Sequence, residues 1–419
     1  MKVKFMSYKE LKSLYYEDHE IYAKEYLKRF NSDESTKLNF YIGDNQAFFM
    51  ENPSVWKLAF KIAKLDKEIE VLCKKLPGIA IDQYSKKCLI DEIVITNKIE
   101  GVHSSRKEIG EALDILEFQS KNKGKHQRFV SLVNKYLKLI NCEDIPLEKC
   151  QDIRDIYDEM LLEEVMHEDP TNKPDGKLFR KDTVTVHSET NKVIHTGLTP
   201  ESKIIDTLTQ ALAILNNESV EGLFRICIFH YLIEYIHPFY DGNGRLGRFI
   251  LSYGISKMLT PLIAFRISET IKANINAYYK AFISCNDQRN LGDITPFLLM
   301  QLEMIFSAMK DLKDSLLKRL STWNKYEETI KKQCDDFDVL RLYSYLIQAA
   351  LFSEQGISMS ELQQHMKLSK YMIKNIMCKI PEEMIVIKTK NKFKFYSINI
   401  ERLNTIILKE SIENIQKAE

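Results

Sequence analysis

The chain has 419 residues, too many for one compact core, so two or three domains are expected. Hydrophobic residues make up 44% and charged residues 28%, the balance of an ordinary soluble globular protein. Its 60 basic and 59 acidic residues nearly cancel, which excludes a global field drawing the molecule to nucleic acid or to a membrane; any such binding must rest on a local patch.

The eight cysteines (73, 88, 142, 150, 227, 285, 334, 378) show no CxxC pair and no metal-ligand spacing. That pattern fits reduced thiols in a cytoplasmic protein, not a disulfide framework or a zinc site. The start, MKVKFMSYKELKSLYYEDHE, lacks the apolar run of a secretory signal. The most apolar stretch, LFRICIFHYLIEYI (223–236), contains Arg225 and Glu234 and is too short and too charged to span a bilayer. No membrane partner is expected.

With only 14 Gly and 10 Pro, and long stretches of helical period, the chain reads as mainly α. Residues 1–83 are taken as an N-terminal helical region, although the first roughly 40 are polar and carry no assignable pattern. VWKLAFKIAKLDKEIEVLCKKL (55–76) sets Leu58, Ile62, Leu65 and Ile69 on one face of an amphipathic helix. YSKKCLIDEIVITNKIEG (84–101) predicts another, with Gly101 where a helix C-terminal glycine belongs. Further helices are predicted over 106–119, 126–140 and 146–163. GKLFRKDTVTVHSETNKVIHTGLTP (176–200) alternates at V-T-V, breaks at S-E-T-N-K and resumes at V-I-H. This predicts a β-hairpin over about 183–196, the one strand pair in the first three quarters. Thr199 as N-cap and Pro200 as first helical residue then open a helix that stops at Asn216-Asn217.

EGLFRICIFHYLIEYI (221–236) is apolar almost all round and predicts a buried central helix. A core domain over 84–304 is followed by a charged helical connector, 305–336, and a separate unit, 337–419. FDVLRLYSYLIQAAL, the pair ISMSELQQHM and LSKYMIKNIM turning at Lys367–Leu368, and the alternating MIVIKTKNKFKFYSI follow in an order that resembles a winged-helix domain. Lys370, Lys374, Lys388, Lys390, Lys392 and Lys394 are candidates to face DNA phosphates. A protein-interaction or dimerisation module with a solvated lysine wing is the equal alternative.

Residues 237–248, HPFYDGNGRLGR, carry the densest chemistry. The central helix delivers His237 at its end, and Pro238 stops it. Gly242-Asn243-Gly244 lets the backbone turn tightly with its N–H groups unobstructed. Those amides and the N-terminus of the following helix suit an anion such as phosphate. Arg245 and Arg248 fall on neighbouring positions of its first turn and can each fork onto phosphate oxygens. Asp241 is a candidate ligand for Mg²⁺, which takes few protein carboxylates and bridges to phosphate oxygens. His237 is the one neutral base near the reacting centre. Singly, the histidine reads as a helix C-terminal residue and Asp241-Gly242 as a turn. Together they describe a nucleoside triphosphate held by amides, arginines and magnesium beside a base.

This stretch resembles the signature of the Fic (filamentation induced by cyclic AMP) family, H-x-F-x-D/E-G-N-G-R-x-x-R, at every fixed position: His237, Phe239, Asp241, Gly242, Asn243, Gly244, Arg245 and Arg248. The resemblance covers about residues 84–300 and implies a helical core with the hairpin as a target-positioning flap. It implies an adenylyltransferase that moves AMP from ATP to a Tyr, Ser or Thr hydroxyl of a protein, with His237 as the base and Asp241 holding Mg²⁺. Asn243 and the amides from Gly242 to Gly247, those of Gly244 and Leu246 included, would cradle the phosphates, and Arg245 and Arg248 would hold the β and γ groups. NINAYY (274–279) resembles a segment of the adenine pocket, with Asn274 the better match.

TNKIEG (96–101) resembles the family's inhibitory motif, S/T-x-x-x-E-G/N. Thr96 and Glu100 are one helical turn apart and face the same way. The resemblance implies that Glu100 pairs with Arg248 and takes the space of the γ-phosphate. A nucleotide-sensing DNA-binding regulator and an AMP-removing enzyme, in which Glu100 orients a water, remain alternatives. Self-modification and a homodimer stay open as partners.

Overall fold

A computed structural model describes residues 8–118, 128–187, 193–390 and 393–416. The chain divides into two compact units, one of residues 1–67 and 90–310, the other of residues 68–89 and 311–419. The molecule is mainly helical, with three small antiparallel sheets among the described residues.

The first unit opens with α1 (Tyr8–Glu17) and α2 (His19–Phe30), then a hairpin of β1 (Ser35–Ile42) and β2 (Asn45–Met50). This corrects the expectation of an all-helical N-terminal region and of a single strand pair ahead of the last quarter. The signal is a short period-two run: Leu38, Phe40 and Ile42 alternate and are buried, and Gly43 takes φ +59 at the turn. Next come α3 (Pro53–Lys75) and α4 (Gly78–Ile99), the latter starting earlier than predicted and ending ahead of Gly101 at φ +76. α5 (Arg106–Phe118), α6 (Val130–Ile140), α7 (Cys150–Tyr157) and α8 (Glu163–Glu168) follow. A π-helical turn, Asp158–Leu162, interrupts what the sequence suggested was one helix over 146–163.

The predicted flap consists of β3 (Thr185–His187) and β4 (Val193–Thr196), with an irregular register at Val186 and His187. Its S-E-T-N-K turn lies outside the described residues, as do 119–127 and Lys392. α9 (Glu201–Leu215) begins one position later than expected, with Pro200, not Thr199, at its N-cap. No side chain caps it there. Instead the Glu201 carboxylate accepts from the amides of Lys177, Leu178 and Phe179 at 3.0, 2.7 and 2.9 Å, pinning the segment before the flap to the start of α9.

α10 (Gly222–Ile236) is buried on nearly every side and packs between α9 and α11 (Asn243–Met258). α12 (Ile267–Ala273), α13 (Ile275–Asn286) and α14 (Thr295–Gln333) complete the helices of this region, α14 continuing into the second unit's residues. Glu92 on α4 is fully buried; its carboxylate accepts from the amide of Ser268 at 3.0 Å and from its hydroxyl at 2.5 Å. That contact holds the part of α4 leading to Thr96 against the first turn of α12.

The second unit contains α15 (Phe337–Phe352), β5 (Ile357–Ser358), α16 (Met359–Met366), α17 (Lys370–Met377), β6 (Ile385–Lys390), β7 (Phe393–Ile398) and α18 (Ile400–Gln416). The strands form one sheet in the order β5-β7-β6 over a core that includes Leu342, Leu346, Ile357, Leu362, Ile373 and Leu403. Ser358 and Ser369 cap α16 and α17 through their hydroxyls. No helix among the described residues is long and apolar enough to cross a membrane.

Glu92→Ala leaves two buried Ser268 donors unpaired and should cost roughly 2–4 kcal/mol of stability, read by equilibrium urea unfolding. An unchanged midpoint would show that this contact does not hold α4.

Candidate active site

α10 ends at His237, which takes a left-handed conformation (φ 54, ψ 63) while its N–H still reaches the Ile233 carbonyl at 2.9 Å. The turn swings the imidazole off the helix axis into a cavity. Its Nδ1 lies 3.4 Å from the Glu234 carbonyl, an acceptor only, so the proton belongs on Nδ1 and Nε2 keeps a free lone pair. Burial pushes the His237 pKa down to about 4; His195 and Arg180 act in the same direction, and Glu100 and the Glu234 carbonyl oppose them. At neutral pH the ring is uncharged.

A fully buried arginine that sequence reasoning missed, Arg180, braces this turn. Its Nε donates to the His237 carbonyl at 2.9 Å and its Nη2 to Leu198 at 2.8 Å. Its own amide reaches the Pro238 carbonyl, and Leu198 N–H reaches Ile236. A Cβ on Gly197 would fall 2.3 Å from Arg180 Nη2, so glycine is required for the approach. One guanidinium thus ties both roots of the flap to the histidine.

The loop beyond is locked from within. Phe239 stacks on Tyr157 (centroids 3.6 Å apart) and meets Phe179 edge-on at 5.4 Å. Asn243 accepts from the Phe239 amide at 2.9 Å and returns a bond to its carbonyl at 2.8 Å. Its side chain therefore closes the loop and does not line the cavity, where the sequence had set it among the phosphate ligands. Gly242 at φ +80 starts α11, and Leu246 N–H is spent on the Gly242 carbonyl. The N–H groups of Asn243, Gly244 and Arg245 form the first turn and have no helical partner. Asp241 accepts from the Gly242 amide at 2.6 Å through one oxygen; the other is 3.6 Å from Arg245.

The two arginines differ in their commitments. Arg245 is buried with Nη1 on Glu164 at 3.1 Å, and its Nε and Nη2 lack hydrogen-bond partners among the described residues. Arg248 is equally buried; its Nε donates to Thr96 Oγ1 at 2.8 Å and its Nη2 to the Thr96 carbonyl at 3.2 Å and to Glu100 at 2.7 Å. Burial works to raise the Glu100 carboxyl, but the Arg248 guanidinium outweighs it and, with Arg245 and His237, holds it below the ordinary range. A Cβ on Gly244 would fall 2.2 Å from Glu100 Oε1. The carboxylate of Glu100 thus rests on the first turn of α11, where the unpaired amides favour an anion.

Comparison with known proteins agrees with this geometry. The Fic/DOC family profile matches residues 147–253. That segment, about a quarter of the chain, is a Fic/DOC domain. It is 26% identical over 154 residues to protein adenylyltransferase fic-1 of Caenorhabditis elegans; the match takes in 33% of this chain but only 28% of that protein. A Fic family protein from Desulfovibrio desulfuricans shares the fold at 20% identity and TM-score 0.50, covering 83% of this chain and 96% of its own.

The cavity is about 90 Å³ with Glu100 in place, against roughly 300–1,000 Å³ for a small-molecule site. His237, Gly244, Arg248 and Glu100 line it, while Gly242, Asn243, Arg245, Leu246, Gly247 and Asp241 build the loop and helix beneath. Thr96 is buried behind Arg248. Asn274 is exposed between α12 and α13, bonds to the Thr270 carbonyl and does not line the cavity; Tyr278, Tyr279, Phe282 and Asn286 from the same stretch do. Glu234 also lines it. Burial, then the Glu100 carboxylate, pushes its pKa up to about 8 against the pull of Arg248, so at neutral pH it is largely uncharged. His230 is a core residue bonded to the Tyr278 hydroxyl at 2.8 Å. His195 is half-buried on the cavity wall.

Asn243→Ala should lower stability by roughly 2–3 kcal/mol, since the buried Phe239 amide and carbonyl both lose their partner. Thermal unfolding measures this; an unchanged midpoint would mean the loop holds without the side chain.

Proposed function

We propose that this chain transfers AMP from ATP to a Tyr, Ser or Thr hydroxyl of a protein, and that Glu100 restrains it. The observation that carries the reading is a neutral histidine whose open nitrogen faces the same cavity as Arg248 and the first turn of α11. The acceptor oxygen attacks the α-phosphorus as His237 Nε2 takes its proton. The bond from that phosphorus to the β-phosphate oxygen breaks, and pyrophosphate leaves. Arg248 and the Arg245 guanidinium beneath the loop neutralise the departing charge. The name of the Caenorhabditis elegans relative, protein adenylyltransferase, supports the same chemistry.

Asp241 fits Mg²⁺. Its carboxylate is half-exposed at the mouth of the loop, and no group of three or more metal-ligating side chains occurs among the described residues, so any ion here must share substrate phosphates. Bound there, Mg²⁺ would supply charge neutralisation on the phosphates.

Glu100 sits on the arginine and the helix turn that a γ-phosphate would use. The basal rate is therefore low. Glu100→Gly should raise AMP incorporation from α-labelled ATP into lysate protein by at least about tenfold, and His237→Ala in that background should abolish it. A rate unchanged by the glutamate substitution, with folding intact, would remove the brake. Release of AMP from pre-labelled protein by the wild-type chain alone would favour the reverse reaction.

The base acts in its neutral form, and its folded pKa is depressed, so protonation sets in only well below neutrality. Removing Glu100 takes away a charge that raised it. AMP transfer by the Glu100→Gly protein should then be flat from about pH 5.5 to 8. An acid limb centred on the ordinary histidine value near 6.5 would contradict a desolvated His237.

A second reading concerns the C-terminal unit. α17 exposes Lys370 and Lys374, and Lys388 and Lys394 are exposed on the β6–β7 hairpin, with Lys390 half-buried. We read it as a winged helix that contacts DNA phosphates. Salt-dependent binding of a duplex by the full chain, weakened by Lys370→Ala/Lys374→Ala, tests it.

A further inference from the structure

A hairpin of three-residue and four-residue strands cannot hold its own position, because two isolated strands are marginal in water. Something must seat the flap. Arg180 fixes its roots, but β4 also carries His195 into the body of the domain. Its Nε2 lies 2.6 Å from the carbonyl of Tyr235, two residues before His237, and its Nδ1 lies 3.3 Å from Asn286 Nδ2. Asn286 Oδ1 in turn accepts from the Tyr231 hydroxyl at 2.7 Å.

The proton positions in this chain follow from one fact. A backbone carbonyl only accepts, so His195 must donate to Tyr235 from Nε2. In the neutral ring Nδ1 is then the acceptor, which obliges Asn286 to present its amide nitrogen. The Asn286 oxygen is left facing Tyr231, whose buried hydroxyl is held protonated by its surroundings. Every donor meets an acceptor. Burial lowers the His195 pKa, the Tyr235 carbonyl works against that, and Arg180 acts with burial. Tyr235 is anchored on its far side as well, its hydroxyl accepting from the Gly43 amide in the β1–β2 turn at 3.0 Å.

We propose that His195 is a positioning residue that seats β4 on the end of α10, so that the flap strand and the base His237 are held as one piece. The proposal rests on the reading of 183–196 as the strand pair that aligns a protein acceptor. Burial of the network makes it worth more than a surface contact, and the bond donated to Tyr235 is its essential link.

The test uses the full chain in the Glu100→Gly background. His195→Gln keeps a donor at the Nε2 position; His195→Leu keeps the volume and loses the donor. The Leu variant should lose at least about tenfold in AMP transfer to lysate protein from α-labelled ATP, with the ATP Kd unchanged within about twofold, and the Gln variant should recover most of that loss. Amide hydrogen exchange at 185–187 and 193–196 reads the seat without turnover and should quicken in the Leu variant only. Equal transfer in parent and Leu variant, an equal loss in Gln and Leu, or unaltered exchange in the Leu variant would each overturn the proposal. A parent that transfers no AMP would sink the adenylyl-transfer reading, and the exchange comparison would then decide the seat alone.

Discussion

A buried guanidinium must be paired. Arg248 is 1% exposed, and taking an unpaired cation out of water costs far more than a small domain's whole stability. Thr96 supplies two neutral acceptors but no charge, so the position opposite Arg248 requires an anion. Glu100 fills it. The same spot lies over the first turn of α11, where unpaired amides also favour negative charge. Two independent features of the fold therefore converge on one small volume, and only one anion can occupy it.

On the proposed reading this exclusivity is the regulation. Nothing has to move within the catalytic loop, which is stiffened by the Asn243–Phe239 bonds and the stack on Tyr157. What must give way is the end of α4, after the Glu92–Ser268 contact and one turn beyond Thr96. The neighbouring Glu234 fits the same logic. Burial and the nearby Glu100 carboxylate keep it largely neutral, so it does not compete for Arg248. The uncharged His237 likewise adds no cation to a site already dominated by arginine.

The motif was legible in sequence because its chemistry is contiguous. A helix end, a proline, a glycine turn and a new helix follow one another, and local rules place each. The roles of individual side chains were less so. Asn243 and Arg245 belong to the site, but their side chains turn to Phe239 and Glu164, partners that no spacing announces. Arg180, Glu234 and His195 take their importance from burial and from contacts with distant elements, which a linear reading does not contain. Asn274 was misplaced by one helix junction, since the cavity takes its wall from the next turns of α13. The β1–β2 hairpin carried a readable alternation at Leu38, Phe40 and Ile42, hidden by the polar residues around it.

The claim that Glu100 and a γ-phosphate compete for Arg248 is tested most directly by calorimetric titration of nucleotide into the wild-type and Glu100→Gly chains. The account predicts that ATP binds the variant at least about tenfold more tightly, while AMP, which has no γ-phosphate, binds both alike within about twofold. Equal ATP affinity in the two proteins, or an equal gain for AMP, would contradict it.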